Sequence, residues 1–319
     1  MLKYLIRRVF FLLVSFIAAL AVIFILLRLL PGDPANALLS IDATAEQIAQ
    51  ARARFSSNIP LYKEAALWAR NILRGDFGTA LISGTPVGPE IAKRLEVTIP
   101  LTLISFVISL GIASVTGFIS AVKRDAWYAV LISLLSQVGI AIPVFWIGII
   151  FVWIFALRLG VLPSGGWPAA SWREAGAAAR AMILPAATVI FMMSATLTRY
   201  IRASVLNVLD SGFLRTSRAL GFSLSQSFVL HGIRNAYIPV ISIFGTELSA
   251  TLLGAVVVEN IFSLPGLGAM LVKAIAQHDY PSIQGVLLTT TFLVLITGFA
   301  ADVLQRLLDV RLRTARSHE

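Results

Sequence analysis

The chain contains no cysteine, which excludes a disulfide framework and a thiolate metal site and leaves no redox clue to compartment. Charge is scarce as well: 13% of the 319 residues are Asp, Glu, Lys or Arg, about half the share found in soluble globular chains. Three histidines, His231, His278 and His318, stand far apart. They form no His-Glu-x-x-His pair, so a catalytic zinc has no ligand set. None of the five lysines (Lys3, Lys63, Lys93, Lys123, Lys273) follows a glycine. The Gly-Lys-Ser/Thr loop that cradles nucleotide phosphates is therefore missing, and the chain does not hydrolyse ATP by that route. No Gly-x-Ser-x-Gly elbow exposes a nucleophilic serine. The two halves also lack the internal repeat on which self-sufficient carriers are built. These absences disfavour a membrane enzyme and a stand-alone channel or carrier.

What is present is apolar. Hydrophobic residues make up 58% of the chain, and the mean hydropathy of +0.86 places it in a bilayer. The net charge of +10 then points to an inner membrane surface rather than to nucleic acid. Charge-free or nearly charge-free runs cover residues 9–27, 97–122, 126–157, 181–198, 237–258 and 280–301. At 1.5 Å per residue, roughly 20 apolar residues cross a ~30 Å hydrocarbon core, so six transmembrane helices are predicted. The first run resembles a signal peptide, but it is long enough to span and no small-residue cleavage site directly follows. With both termini in the cytoplasm, Lys3, Arg7, Arg8, Lys123, Arg124, Arg199, Arg202 and Arg306 share one side. The short loops opposite hold only Arg158, Arg173, Arg180 and Lys273.

Residues 31–96 then form an external helical segment in which acids and bases balance. Thr44 and Gln47 have capping-box spacing. A second helix opens after Pro60 and stops before Gly75, with Leu61, Ala65, Trp68 and Ile72 on one apolar face that packs on the bundle.

Between the fourth and fifth runs lies the polar insert "FLRTSRALGFSLSQSFVLHGIRNAYIP", Phe213 to Pro239. A short helix over Arg215, Thr216, Ser217, Arg218, Ala219 and Leu220 should stop at Gly221, which takes a left-handed turn at least cost. After Phe222, Ser223 and Gln226 form another capping box, opening a helix through Arg234. Leu224 and Phe228 share a face suited to a hydrophobic groove, edged by arginines. The residues alone leave two readings equally open: a docking site for a partner, and a basic hairpin lying on anionic lipid.

The insert resembles the coupling loop of permease subunits of ATP-binding cassette importers, specifically the dipeptide, oligopeptide and nickel permease family. The general importer motif, Glu-Ala-Ala then Gly four places on, is replaced here by Arg215-Thr216-Ser217 with Gly221 in place. "RTSRALG" and "HGIRNAYIP" are similar to the peptide branch. "LLPGDPA", "PLYKEAALWARNILRGDFG", "TPVGPEIAKRL", "ILPAATV", "RYIRASVLNVL", "ENIFSLPGLGAMLVKAIAQHDYP" and "LLDVRLR" extend the resemblance over nearly the whole chain, in the first-of-two permease type.

The resemblance implies an all-α integral membrane protein of the type I importer permease fold, multi-pass in a bacterial inner membrane. It implies a first helix within 1–30, an external segment 31–96, a core 97–301 carrying the coupling loop 199–236, and a cytoplasmic tail 302–319. It further implies a second homologous permease as heterodimer partner, two ATPase subunits that bind ATP and Mg, and an external substrate-binding protein. This chain would bind no cofactor, metal or nucleic acid, and its lipid contacts would be those of a membrane protein. Small peptides are the family's commonest cargo; nickel chelates, glutathione and related solutes are the alternatives. Residues 213–234, with His231 at the interface, would transmit ATPase closure to the helices.

Further residues draw attention by position. Glu247 lies inside the fifth run, where an isolated carboxylate costs about 2.5 to 3.5 kcal/mol on insertion scales, and lining of the translocation path is the first expectation. Pro143, four residues after Gly139, invites a kink in the third run, either a gating hinge or a fit to the bundle. Met192 and Met193 offer soft sulfur to a metal, yet Met in a span is far more often packing, and Met193 is kept as a pathway candidate. Pro265, Gly266 and Gly268 form an external loop over the path mouth. The basic tail, with Arg311, Arg313 and Arg316, stays near anionic headgroups or an ATPase.

Overall fold

The protein was analysed as a computed structural model that describes residues 2–29 and 60–308. Residues 30–59, with the Thr44–Gln47 box and most of "LLPGDPA", and the basic tail from residue 309 lie outside the described residues. Eleven α-helices follow in order: α1 (Leu2–Leu29), α2 (Leu61–Leu73), α3 (Val87–Val122), α4 (Trp127–Ala141), α5 (Val144–Phe151), α6 (Ala175–Leu209), α7 (Gly212–Ala219), α8 (Leu224–Ser227), α9 (Ile233–Ile261), α10 (Leu267–Ala276) and α11 (Tyr280–Leu308). The described residues form no strand, only an isolated bridge between Thr79 and Pro86.

Among the described residues, five helices are long and apolar enough to cross a membrane, and a bent pair can supply a sixth span. Several outrun the predicted limits. α3 has 36 residues, about 54 Å of axis, because its helix continues past the apolar run through Glu90, Lys93, Arg94 and Glu96. The ion pair of Glu90 with Arg94 one turn on supports that wet end. α6 likewise continues through Arg199 and Arg202 to Leu209. The predicted loop 199–236 is therefore shorter, its first eleven residues belonging to a spanning helix.

The third predicted span is not one helix. α4 and the helix Val144–Arg158, formed by α5 and a π-helical turn over Val152–Arg158, meet at 104°. Pro143 has no N–H to continue the ladder, and Ile142 before it is extended (φ −82°, ψ 125°). Each piece of 15 residues reaches about 22 Å, short of a ~30 Å core. The expected kink is a full break, and Gly139 lies so close to Ala195 of α6 that an added Cβ would fall 2.8 Å from its methyl.

α6 is the most enclosed span and packs along α3. The buried stripe Thr98, Thr102, Ser105, Ser109, Ala113, Gly117 and Ser120 lets the two backbones approach, as small residues do between membrane helices. Thr116 and Thr198 exchange a hydrogen bond of 2.7 Å across this contact, and Gly117 sits under Ile201. α1 lies on α11 at the periphery, with Phe16 against Phe292 and an ion pair from Arg8 to Asp302 at 2.7 Å. Its outward side chains, among them Ile6, Phe10 and Ile17, are exposed for lipid. α2 behaves as its sequence predicts. Gly75 after it has φ +79°, and Trp68 and Ile72 pack on α1 and α11 beside Leu20, Phe24 and Leu288.

Candidate docking elbow and outer latch

At the end of the bundle where α1 begins and α11 ends, α7 and α8 make a tight elbow. Gly221 turns the chain with φ +95°, a conformation that L side chains avoid. The predicted capping box is formed in both directions: the Gln226 N–H donates to Ser223 Oγ at 3.3 Å, and the Ser223 N–H to Gln226 Oε1 at 3.0 Å. A buried bond from Ser217 Oγ to Ser227 Oγ, 3.0 Å, pins α7 to α8. Leu214 lies in the core below. The elbow is thus a braced unit, not a slack loop.

The sequence-predicted residues divide by accessibility. Arg215, Thr216, Arg218, Ala219, Leu220, Gly221, Phe222, Ser223, Leu224 and His231 are exposed. Leu220, 74% exposed, stands out with Phe222 and Leu224 as an apolar tip flanked by arginines. Two members differ from expectation. Phe228 does not share a free face with Leu224; it is 3% exposed and stacks on Phe118 at 5.1 Å. A π-helical turn over Phe228–Gly232 runs α8 directly into α9 instead of ending a separate helix. Phe228 lies inward over Gly232, where a Cβ would strike the ring at 2.6 Å. Ser217 is buried for the bond just described. Arg234, though exposed, spends its guanidinium on the terminal carbonyl of α11, with Nη2 to Leu308 O at 2.9 Å.

Of the pathway candidates, Glu247 is half-buried on α9, within electrostatic reach of Arg199. Met193 is buried in the core, its sulfur accepting from Thr251 Oγ1 at 3.5 Å. It lines no open space in this chain. Pro143 is exposed at the α4–α5 break.

At the opposite end, the predicted external loop is not loose. Gly268 lies inside α10, and Gly266 and Gly268 are buried. Their reason is Glu259, which sequence reasoning missed. Its carboxylate, fully buried, accepts Thr98 Oγ1 at 2.6 Å, Gly268 N at 2.7 Å and Ala269 N at 3.3 Å. Thr98 Oγ1 in turn accepts from Leu267 N at 2.9 Å. An acid on α9 thereby caps α10 and reaches α3. A Cβ on Gly266 would fall on that carboxylate, and one on Gly268 on the backbone of Val256. The visible signal was an acid six residues before the Pro-Gly turn. A second buried acid, Asp279, starts α11 and accepts Leu81 N at 3.1 Å and Ser282 Oγ at 3.0 Å. Between these anchors lie two adjoining clefts of about 460 and 570 Å³ that share Glu90 and Arg94; Trp167 and Trp172 wall the larger.

Among the described residues no group of three His, Cys, Asp or Glu could hold a metal, and nothing here assembles a nucleophile with a base. The described residues thus form a membrane bundle with a braced, exposed elbow at one end and a latched, cleft-bearing face at the other. Models of two families match: the binding-protein-dependent transport system inner membrane component over residues 113–314, and the N-terminal part of such membrane components over residues 1–102. The chain belongs to the binding-protein-dependent transport system inner membrane component family.

It is 34% identical over 313 residues to the glutathione transport system permease protein GsiC of Escherichia coli (strain K12), covering 98% of this chain and 99% of that one. It is also 34% identical over 290 residues to a protein named as a peptide transport system permease of Brucella abortus (strain 2308), covering 91% and 92%. Among solved structures, the MetNI methionine ABC transporter in an inward facing form aligns with TM-score 0.57 at 16% identity, covering 69% of this chain and 96% of that one. An amino acid ABC transporter aligns with TM-score 0.52 at 15% identity, over 68% and 94%. The chain has the importer permease fold. It is a multi-pass membrane transport subunit, not an enzyme, of a family whose ATPase activity resides on partner subunits and whose permeases bind no cofactor.

Proposed function

We propose that the chain forms half of the translocation pathway of a binding-protein-dependent importer of small peptides. A second, similar permease supplies the other half, and two ATPases dock on the elbows. The carrying observation is the braced elbow, with Arg215, Arg218, Leu220, Phe222 and Leu224 presented outward and Gly221 holding the turn. A rigid projection transmits a partner's motion, where a flexible loop would absorb it. The basic end with both termini and the elbow faces the cytoplasm, following the bias of Lys3, Arg7, Arg8, Arg202 and Arg306. The clefts around Glu90, Arg94 and Trp172 face the binding protein on the outside.

Peptides are favoured by the Brucella relative's name, and glutathione, itself a short peptide, is the second reading, favoured by the near full-length match to GsiC. The test is uptake into proteoliposomes. The chain alone should move neither labelled dipeptide nor glutathione. With both permeases, ATPases and binding protein present, ATP should drive uptake of the cargo. Transport by the chain alone would overturn the reading.

Glu247 is assigned to the pathway wall, half-buried where a permeating amine would pass. Glu247→Leu is expected to lower uptake several-fold while ATPase activity of the complex persists. Unchanged uptake would remove it from the pathway.

A further inference from the structure

Where α1 begins and α11 ends, four side chains meet in an arrangement that the transport reading does not use. Tyr4 Oη donates to Asp302 O at 3.2 Å and accepts from Arg8 Nε at 3.1 Å, and Arg8 Nη1 pairs with the Asp302 carboxylate at 2.7 Å. The guanidinium of Arg306 lies over the Tyr4 ring, 4.1 Å from its centroid, and that of Arg8 over the same ring at 5.4 Å. Arg8 has its carboxylate. Among the described residues Arg306 has none: its Nε is shielded from solvent without a hydrogen-bond partner, and its guanidinium lies against the ring. Two like charges share one aromatic platform and one acid, and Lys3 and Arg7 on the same end of α1 are exposed. Among the described residues, four cations at this corner stand against one carboxylate, an excess of positive charge that suits an anion.

Its depth says which anion. Arg8 immediately precedes the apolar run that starts at Val9, and Asp302 immediately follows the one that ends at Ala301. The corner therefore sits at the edge of the hydrocarbon, at the level of phospholipid phosphates, on the peripheral helix pair whose flanks are exposed for lipid. Planar, weakly hydrated guanidinium groups suit phosphate oxygens in such a place. We propose that Tyr4, Arg8 and Arg306 form a binding site for the phosphate of an acidic phospholipid. Tyr4 holds the Arg306 plane, Arg306 supplies the uncommitted donors, and Lys3 and Arg7 add field.

The test uses the full chain purified with its co-assembling subunits in nanodiscs of equimolar phosphatidylcholine and phosphatidylglycerol, read by native mass spectrometry after delipidation. Retained lipid should be enriched in phosphatidylglycerol, and added inorganic phosphate should not displace it. Arg306→Gln should lower retention by about fivefold, the scale of one arginine at an anionic surface. Arg158→Gln, which removes a guanidinium stacked on Trp153 at the other end of the bundle, should leave retention unchanged. Retained lipid matching the bulk mixture overturns the proposal and needs no variant, so poor assembly of Arg306→Gln does not shelter it. Equal retention in Arg306→Gln also overturns it, as does displacement by phosphate, which would mark a site for the free ion. A corner occupied by an acidic segment of a partner protein, visible as a crosslink to Arg306 with no lipid retained, overturns it as well.

Discussion

Glu259→Leu is expected to abolish transport and to lower the melting temperature of the assembled importer. The leucine would leave the Thr98 hydroxyl and the amides of Gly268 and Ala269 without the acceptor they share. Each stranded buried donor costs about 1 to 3 kcal/mol, so the loss is on the order of 4 kcal/mol. Glu259→Gln keeps an acceptor oxygen and should lose much less. Gly266→Ala reaches the same carboxylate from the other side, since its methyl would overlap it, and should mimic Glu259→Leu. Thermal unfolding followed by fluorescence, with uptake in proteoliposomes, measures both effects. A Glu259→Leu complex that melts and transports like the wild type would show that the latch carries no weight.

The second large effect belongs to the elbow. Gly221→Pro forces φ to about −65° where the chain needs +95°, so the turn cannot close. ATP-driven uptake should fall by at least about tenfold, within the 5- to 150-fold span of measured site-to-site coupling, while the protein still inserts and the ATPases lose stimulation. Gly221→Ala is the graded control. Open space surrounds its Cβ, so only backbone strain of about 1 kcal/mol remains and the deficit should be small. Reversal of Arg215 and Arg218 together to Glu should uncouple equally without touching the fold, because both side chains are exposed. Wild-type uptake in Gly221→Pro or in the double reversal would end the lever interpretation.

How much of this was legible in the sequence depended on how local the cause was. The Ser223–Gln226 box, the Gly221 turn and the Pro60–Gly75 helix are set by residues within a few positions of each other, and their patterns were readable. The apolar runs located the spans but not their ends, because Glu90 with Arg94, or Arg199 and Arg202, continue a helix once the hydrocarbon is behind. Pro143 announced a bend but not its size of 104°, which no local pattern encodes. Phe228 was expected on a free face with Leu224, four positions earlier, because spacing does not reveal that its ring packs on Phe118 of α3, far away in sequence. Glu259 escaped notice because its partner Thr98 lies 161 positions away, and nothing in a single sequence joins them. Glu247, deeper in its run, drew the attention that an acid at the edge did not.

The bond from Arg234 to the carbonyl of Leu308 bears on how the molecule could be watched at work. It couples the root of the elbow to the end of the last helix, and Arg8 with Asp302 couples that helix to the first. A dye or spin label on the exposed side of α1, far in sequence from the elbow, would then shift when the elbow is pushed. The opening stretch of the polypeptide would serve as a pointer for events more than two hundred residues downstream.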